Sequence, residues 1–453
     1  MDFDPLKELL GPRFSASASD RELHGRCESH FPILAPDAVT YPQSTEEVSA
    51  IIRNCSERGV PVIGWGTGTS LEGHALALKG GITVDFSRMN RVLHIASEDM
   101  LAVVQPGVTR EALNEELRAT GLFFPVDPGA NASLGGMAAT RASGTTAVRY
   151  GTMRTNVLAL EVVLADGRII RTGSRAPKSS TGYDLTALFV GSEGTLGLIT
   201  ELTLRLQGQP EGISAAICAF PDIGAAVEAV MLTIQSGIPM ARIEFVDAAN
   251  VRAFNAYGGS EMPEMPHLMV EFHGSHSAVQ EQTRMFGEIV AEMGGGAFQW
   301  AETPEERNRL WKLRHNGYYA ARALYPNAFP LTTDICVPIS KLAAAVEETA
   351  AEIAASGIPG PILGHVGDGN FHALLLPDKD TPEEIATAKA LAARMAERAL
   401  RLGGTVSGEH GIGMGKLGYM EAEHGAGWQV MGALKAALDP QKILNPGKLV
   451  PQG

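Results

Sequence analysis

Two histidines beside a glycine turn and a later Glu–His pair are the residues of this chain best suited to chemistry. His365 and His372 lie in the segment 364–372 (GHVGDGNFH), and Glu409 and His410 follow in SGEHG. Two neutral imidazoles and a carboxylate can hold one divalent metal ion, and three protein ligands leave open positions for a substrate. The spacing therefore favours a catalytic metal held by His365, His372 and Glu409, with His410 as a further imidazole.

The segment between the two histidines is typical of a β-hairpin. Apolar residues precede the Asp-Gly pair at 368–369, and Phe371 and a leucine run follow it. If Val366 pairs with Phe371, His365 faces His372 across the ladder, with Cβ atoms about 5 Å apart. The alternative is that both histidines belong to the core and that the Glu–His turn is solvated.

Composition limits the classes of function. The chain has 453 residues, of which 45% are hydrophobic and 19% charged, and this is enough for two packed domains with room for a third. The net charge of −14 argues against nucleic acid or anionic lipid as the main partner. Four scattered cysteines without a CxxC pair indicate a reducing compartment and no iron–sulfur or thiolate-zinc site.

Hydropathy gives no sign of a membrane segment. No apolar run reaches the roughly 18–20 residues of a membrane span. The acidic start Met1–Asp4 differs from the positively charged start of a signal peptide. We therefore expect a cytoplasmic protein without a membrane span, which can still be peripheral to a membrane-bound partner.

Strand and helix patterns alternate along the chain, which favours an α/β or α+β fold. A helix is predicted at 44–59, with a Ser44–Glu47 capping box at its start and Gly59 at its end. Another helix is predicted after Thr109, which would be its N-cap. Further strands are predicted at 60–63, 82–86, 101–104, 157–164, 196–206, 213–219, 242–246 and 267–273, and further helices at 223–236, 276–294, 341–356 and 382–402.

The turn-rich segment 207–212 (QGQPEG) is typical of a linker. Residues 1–210 are then predicted as one domain, and residues 211–437 as a second sheet-and-helix domain that carries the histidine hairpin. The tail, 438–453, is rich in turn residues but apolar at intervals, and we expect it to return to the first domain.

Four glycine-rich stretches lie within 140 residues of the first domain, at 64–70, 125–139, 141–151 and 191–200. Glycines let the backbone approach a ligand closely and present N–H groups to it. The first stretch is not a P-loop, because no GK[ST] follows it, and it does not open the helix of a Rossmann fingerprint. Taken together, the four stretches predict a long ligand, for which a dinucleotide is better suited than a small metabolite.

These four stretches resemble the FAD-binding domain of the vanillyl-alcohol oxidase/p-cresol methylhydroxylase superfamily. The segments GHVGDGNFH, GEHGIGMGK and LDPQKILNPGK resemble its FAD-linked 2-hydroxyacid dehydrogenase branch, and TDICVPI and ARIEF are most similar to the cytochrome-type D-lactate dehydrogenases. The resemblance covers nearly the whole chain. It implies an α+β fold, in which a two-part FAD-binding domain is joined to an α/β substrate (cap) domain with an antiparallel sheet.

The resemblance also implies which residues bind the cofactor. They belong to the loop at the pyrophosphate, the segments lining the flavin and its diphosphate, a stretch near the adenine and ribose, and the tail. These residues are Gly66, Thr67, Gly68, Thr69, Ser70, Pro128, Gly129, Ser133, Gly136, Ser143, Gly144, Gly194, Ile199 and Asn445. Some members of the superfamily attach flavin through a histidine near the first loop, but His74 is displaced from that position, and we expect non-covalent FAD.

The same resemblance assigns roles to the polar residues of the second half. His365, His372 and Glu409 would hold one divalent metal, which could be Zn, Mn or Fe. His410 would be the catalytic base, and Arg314 would grip the substrate carboxylate with its planar fork. Without the resemblance, Arg314 would be taken for a helix-surface residue.

The implied activity is oxidation of a D-2-hydroxyacid to the 2-oxoacid, with hydride transfer to flavin. The apolar residues 373–375 beside the hairpin favour a small monocarboxylate such as D-lactate; D-2-hydroxyglutarate and glycolate remain alternatives, as does a non-redox flavoenzyme such as alkyl-glycerone-phosphate synthase. Because the chain has no haem motif and no cluster cysteines, electrons would leave to an external cytochrome, quinone or electron-transfer flavoprotein. A homodimer is a further expectation.

Overall fold

The computed structural model describes residues 3–451, which form two compact units. The first unit contains the chain up to Ser143, Gly151–Gln209 and the chain from Glu409 onward; the second contains Gly144–Tyr150 and Pro210–Gly408. The longer segment of the second unit begins between Gln209 and Pro210, inside the predicted linker. The units differ from the predicted ranges at 144–150 and 409–437, and the domain bounds 1–210, 211–437 and 438–453 stay a prediction.

The first unit is built on two main sheets. Within residues 3–451, one sheet has four strands in the order Phe14–Ser15, Ala38–Thr40, Ile82–Asp85 and Val62–Trp65, of which the last three run parallel. The other is antiparallel, with the order Val92–Ala96, Leu101–Val104, Leu198–Arg205, Val157–Val163 and Ile169–Gly173. A short ladder joins Leu122–Phe123 to Gln207–Gly208.

Helices pack on these sheets where apolar residues recur at helical spacing. The helix Thr45–Arg58 begins at the N-cap Ser44 and ends at Gly59, which has a φ of 64°. Its capping box is only half formed: Ser44 accepts the N–H of Glu47, but the Glu47 carboxylate pairs with Arg13. The other helices of this unit are Asp4–Leu10, Ala18–Leu23, Arg110–Leu117, Leu134–Thr140, Met153–Asn156, Leu185–Phe189, Met420–His424 and Ala426–Leu438, with 3-10 turns at Gly11–Arg13, Phe86–Arg88, Arg118–Thr120 and Leu417–Tyr419.

The tail is hydrogen-bonded to other parts of the first unit. Val62 donates its N–H to Ile443 O, and Asn445 donates its N–H to Val62 O. The buried amine of Lys435 donates to Thr195 O, Leu444 O and the Asp439 carboxylate. These bonds tie residues 435–445 to the strand Val62–Trp65 and to Thr195.

The second unit has one antiparallel sheet covered on both faces. Its strands in the described chain are, in spatial order, Gln299–Ala301, Gly212–Ala219, His267–Gly274, Met240–Val246, Ile362–Gly364, Asn370–Leu375 and Leu331–Thr332, and Ile335–Cys336 also pairs with Asn370–Leu375. Its helices are Ala147–Tyr150, Ile223–Gln235, Ala248–Gly258, His276–Glu292, Pro304–His315, Gly317–Leu324, Leu342–Ser356 and Pro382–Arg401, with 3-10 turns at Ile339–Lys341 and Val366–Asp368. The predicted strands and helices of both units are confirmed to within a few residues.

The strand Met240–Val246 contributes side chains to the apolar core on one face of this sheet and to the polar face on the other. Side chains alternate between faces along a strand. Ile243 and Phe245 enter the larger apolar cluster. Arg242 and Glu244 therefore face the opposite side, where Val246 packs in a second apolar cluster.

The predicted pairing of Val366 with Phe371 is wrong. In the structure Leu363 pairs with His372, and Val366–Asp368 forms a turn of 3-10 helix that Gly369 closes with a φ of 78°. This turn takes more residues than a two-residue hairpin loop. Because His365 is two residues after Leu363, it is nevertheless directed to the same side as His372.

The apolar residues beside the hairpin belong to the core. Ala373 and Leu375 pack in the larger cluster, and Leu374 packs in the second cluster with Trp311. Their apolar character is therefore explained by packing and does not favour a small monocarboxylate as substrate.

Candidate functional site

The two hairpin histidines of the second unit lie side by side. The ring centroids of His365 and His372 are 5.5 Å apart at an interplanar angle of 84°, and each offers a nitrogen within 4.8 Å of the other's. His365 Nδ1 lies 2.8 Å from Glu244 Oε1, and His372 Nδ1 lies 3.2 Å from Thr333 O. Since both acceptors take an Nδ1–H, each ring has Nε2 as its ligand atom, which is the arrangement that orients metal-binding histidines.

The end of the second unit lies close to this pair. A Cβ on Gly408 would be 2.2 Å from Asn370 Nδ2 and 3.1 Å from Asp334 Oδ1, so only glycine fits there. Ser407 Oγ donates to Asp334 Oδ2 at 2.9 Å, and Asp334 Oδ1 is 3.5 Å from His372 Nδ1. Glu409 is the next residue along the chain after Gly408. The donor set of His365, His372 and Glu409 thus fits a divalent ion in its chemistry.

Arg314 is not a helix-surface residue. It lies in the last turn of Pro304–His315, which begins with a Thr303–Glu306 capping box, and only 6% of its surface is exposed. Its Nη2 is 2.6 Å from Glu244 Oε2. Its Nε is buried and has no hydrogen-bond acceptor within the described residues, so a buried donor is available to a carboxylate ligand.

A second buried carboxylate holds the helix that carries Arg314. Glu271 accepts from Trp311 Nε1 at 2.5 Å and from His273 Nε2 at 2.7 Å, and Tyr150 OH lies 2.7 Å from His273 Nδ1. Burial raises the pKa of Glu271, but Arg242 and His273 outweigh burial and hold this pKa below its usual range. Trp311 is one turn before Arg314, so this pairing fixes the helix near the candidate substrate-binding residue.

In the first unit, the glycine loops approach one another very closely. A Cβ on Gly66 would lie 2.1 Å from Ser133 Oγ, and one on Gly136 would lie 3.0 Å from the same atom. Ser133 is the N-cap of Leu134–Thr140, and its Oγ is buried without a hydrogen-bond partner in the described part of the chain. A buried hydroxyl beside two glycine loops suits the polar oxygens of a dinucleotide, so these residues fit FAD.

The remaining candidate cofactor residues lie in loops and at one strand. Gly68 has a φ of 72°, and Thr67 Oγ1 is 3.3 Å from Thr69 Oγ1. Gly194 has a φ of 69°, and Ile199 is buried in the strand Leu198–Arg205. The others lie in connecting segments: Ser70, Pro128, Gly129, Ser143 and Gly144. The boundary between the two units falls between Ser143 and Gly144.

The turn after His410 is held by a carboxylate that sequence reasoning missed. Glu193 accepts the N–H of Ile412 at 2.7 Å and of Gly413 at 2.8 Å, and it lies 3.2 Å from His74 Nε2. Glu193 has a φ of 54°, although it is not glycine. Burial raises the pKa of Glu193, but His74 and the two N–H groups outweigh burial and keep this pKa below its ordinary value.

Asn445 connects the same region to the tail. Its Nδ2 donates to His74 O at 3.0 Å and to Glu193 O at 2.7 Å, and its Oδ1 accepts from Lys448 Nζ at 2.6 Å. The structure thus brings Asn445 to the residue before Gly194. A buried acid among glycines, as in GSEGT, was the available signal for Glu193. Its partners Ile412 and Gly413 lie more than 200 residues away in the sequence and gave no signal.

Two protein-family models match the chain. An FAD binding domain matches residues 36–173, and the C-terminal domain of FAD-linked oxidases matches residues 209–449, which is more than half of the chain. The chain belongs to the FAD-linked oxidase family. It is therefore an FAD-linked oxidoreductase, and the prediction of an FAD-dependent enzyme is confirmed.

Curated relatives match nearly the whole chain. The "Probable D-lactate dehydrogenase, mitochondrial" of Danio rerio is 50% identical over 96% of this chain and 88% of its own length. The "D-lactate dehydrogenase [cytochrome], mitochondrial" of Arabidopsis thaliana is 44% identical over 98% of this chain and 79% of its own length. The "Glycolate oxidase subunit GlcD" of Bacillus subtilis is 36% identical over 91% of this chain and 89% of its own.

Solved structures confirm the predicted fold. A p-cresol methylhydroxylase with bound substrate superposes with a TM-score of 0.80 at 18% identity, covering 98% of this chain and 95% of its own. An alkyldihydroxyacetonephosphate synthase gives a TM-score of 0.78 at 20% identity, covering 99% of this chain and 86% of its own. The α+β architecture of the vanillyl-alcohol oxidase/p-cresol methylhydroxylase type is thereby confirmed.

We predict that Glu193→Gln lowers the free energy of unfolding at pH 7 by about 1–3 kcal/mol, because an amide oxygen accepts only one of the two buried N–H groups well. The pKa of Glu193 is lowered, so its stabilising effect is present above the ordinary value of 4.5 and is lost as pH falls through the lowered value. The difference between wild type and variant should therefore shrink in acid.

Urea unfolding of the holoprotein at neutral and acidic pH measures this difference. Glu98→Gln is the control, because Glu98 is exposed and its loss should change stability by less than about 0.5 kcal/mol. Equal stability of wild type and Glu193→Gln at pH 7, or a difference that grows in acid, would contradict the assignment.

Proposed function

We propose that this chain is an FAD- and divalent-metal-dependent dehydrogenase of a small D-2-hydroxyacid, with D-lactate as substrate. The observation that carries the proposal is the polar face of the second unit's sheet. There, the imidazoles of His365 and His372 lie side by side, and the Nδ1 of each has a hydrogen-bond acceptor. Arg314, which pairs with Glu244, has a buried Nε donor. A 2-hydroxyacid needs these two features: a cation for its hydroxyl and an arginine for its carboxylate.

The names of the relatives support the choice of D-lactate. The Danio rerio and Arabidopsis thaliana proteins carry this substrate in their names, and so does "D-lactate dehydrogenase [cytochrome] 1, mitochondrial" of Saccharomyces cerevisiae, at 37% identity over 98% of this chain. Glycolate is the second candidate, because the Bacillus subtilis relative is named as a glycolate oxidase subunit. Both acids carry a single carboxylate, for which Arg314 suffices.

Each polar residue then has one task. Arg314 binds the substrate carboxylate through its fork, and this sets the orientation of C2. His365, His372 and Glu409 would hold the metal, and His410 would take the hydroxyl proton on an imidazole nitrogen, for which it must lie about 3 Å from the hydroxyl oxygen. When bound, FAD supplies the acceptor for the hydride from C2 and the metal supplies a Lewis acid for the hydroxyl.

FAD would be held by residues of the four glycine-rich stretches and of the tail. We assign the pyrophosphate to residues 66–70, the flavin and its diphosphate to Pro128, Gly129, Ser133, Gly136, Ser143 and Gly144, and the adenine side to Gly194 and Ile199. Asn445 would approach the ring from the tail. We propose that FAD is bound non-covalently. His74, the histidine near the first loop, has its Nε2 3.2 Å from the Glu193 carboxylate.

The electron acceptor is proposed as a separate protein or quinone. The word "cytochrome" in the names of several relatives favours a cytochrome. Among residues 3–451, every helix is too short or too polar to cross a membrane. The cytoplasmic location stays a prediction, since several relatives are named mitochondrial, and so does the homodimer.

We predict that D-lactate bleaches the visible flavin absorbance of the purified holoprotein under anaerobic conditions, and that L-lactate does not. The reason is that, with the carboxylate on Arg314 and the hydroxyl on the metal, only one enantiomer would direct its C2 hydrogen to the flavin. Stopped-flow absorbance measures the rate. Bleaching by glycolate alone, or by D-2-hydroxyglutarate alone, would replace D-lactate with that acid, and no bleaching by any of these acids would refute a hydroxyacid dehydrogenase.

We predict that His410→Ala retains FAD and metal but lowers kcat by about 10²–10⁴-fold, because the substrate hydroxyl loses its proton acceptor. Steady-state assays with D-lactate, together with flavin and metal content, measure the effect. The control is His276→Ala, whose side chain is 75% exposed and whose removal should leave kcat unchanged. Near-normal turnover by His410→Ala would show that another group is the base.

A further inference from the structure

Glu244 contacts two of the residues proposed above for different tasks. One carboxylate oxygen is 2.8 Å from His365 Nδ1, and the other is 2.6 Å from Arg314 Nη2. The Glu244 side chain is 1% exposed. A single buried carboxylate therefore lies between a candidate metal ligand and the candidate substrate-binding arginine.

The backbone gives Glu244 little freedom to move. It lies inside the strand Met240–Val246, where Glu244 is opposite Met269 on one side and Phe245 is opposite Gly364 on the other. Gly364 directly precedes His365, so the strand pairing itself sets the spacing between the carboxylate and the imidazole. A Cβ on Gly364 would be 2.6 Å from Asn370 O, so only glycine allows this close pairing.

Folding alone gives no reason for a carboxylate at this position. A buried ion pair loses hydration that its attraction only partly restores, and apolar residues of similar size often stabilise a core equally well. Val246, on the same face of the strand, packs in an apolar cluster. The charge of Glu244 is therefore explained by what it orients.

Resting on the proposed function, we propose that Glu244 is a positioning residue that couples metal binding to binding of the substrate carboxylate. By accepting the Nδ1–H of His365, it turns Nε2 toward the metal and makes the imidazole a stronger ligand. With its other oxygen it fixes the guanidinium of Arg314. Loss of Glu244 should therefore weaken the binding of metal and of substrate together.

The charge of Arg314 makes this coupling positive, so that substrate and metal strengthen each other's binding. Without substrate, the positive charge of Arg314 draws on the Glu244 carboxylate, which His365 also uses. A substrate carboxylate that pairs with Arg314 shares that positive charge, so more of the Glu244 charge acts on His365 and the metal is held more tightly. By linkage, bound metal must then strengthen substrate binding by the same factor.

The test compares Glu244→Gln with wild type, using the FAD-loaded full chain. Zinc affinity is measured by competition with a chromophoric chelator, without substrate, and KM and kcat for D-lactate are measured at saturating zinc. We expect zinc affinity to fall by about 10–100-fold and KM to rise, with FAD content unchanged. Zinc affinity within twofold of wild type would overturn the proposal.

Glu271→Gln is the matched control. Glu271 is also a nearly buried carboxylate, lies on the neighbouring strand and pairs with a histidine, His273. We expect this variant to keep wild-type zinc affinity. An equal loss of zinc affinity in both variants would mean that removing any buried charge from this sheet disturbs the site, and it would overturn a specific role for Glu244.

A double-mutant cycle separates positioning from general destabilisation. If Glu244 acts on the metal through His365, adding Glu244→Gln to His365→Ala should cause no further loss of zinc affinity. A full additional loss would contradict the proposal. Because these zinc measurements need no turnover, a wild-type chain that binds zinc but is not reduced by D-lactate would refute the proposed substrate and leave the zinc results to decide the role of Glu244.

Discussion

The hydrogen bond between the Glu244 carboxylate and His365 Nδ1 is the interaction on which the site in the second unit depends most. It fixes the ring of His365, while Thr333 O does the same for His372, so that both histidines offer Nε2. Without these acceptors, the two imidazoles, whose ring centroids are 5.5 Å apart, could rotate freely and would form a poor metal site. The same carboxylate also orients Arg314, so one buried charge serves both parts of the proposed chemistry.

The sheet can maintain such buried charges because each one has partners and lies on a strand that is well packed on its other side. Ile243 and Phe245 anchor the strand in the larger apolar cluster, while Glu244 between them faces the polar side. Glu271, on the neighbouring strand, is likewise buried and paired: it accepts from His273 of the same strand and from Trp311 of the helix Pro304–His315. In the first unit, Glu193 accepts two backbone N–H groups of the turn that follows His410. All three are examples of buried charge that orients other groups.

Much of the fold could be predicted because its signals are local. Ser44 and Gly59 mark the ends of one helix, and apolar spacing located the other predicted elements to within a few residues, but it missed helices such as Ala248–Gly258 and Pro304–His315. The hairpin register could not be predicted, because a 3-10 turn and a two-residue turn are both compatible with GHVGDGNFH. The buried carboxylates were missed since their partners are distant in sequence: residue 244 pairs with residues 314 and 365, and residue 193 with residues 412 and 413. Such contacts depend on the tertiary fold and leave no local pattern.

X-ray absorption spectroscopy of the zinc-loaded holoprotein tests the central claim most directly. Because His365 and His372 are both held at Nδ1, the account predicts two imidazoles in the first coordination shell, with Zn–N distances of about 2.0–2.1 Å and the remaining ligands oxygen. Zinc bound with fewer than two imidazoles, or with sulfur in its shell, would contradict the claim that this polar face of the sheet is a metal site.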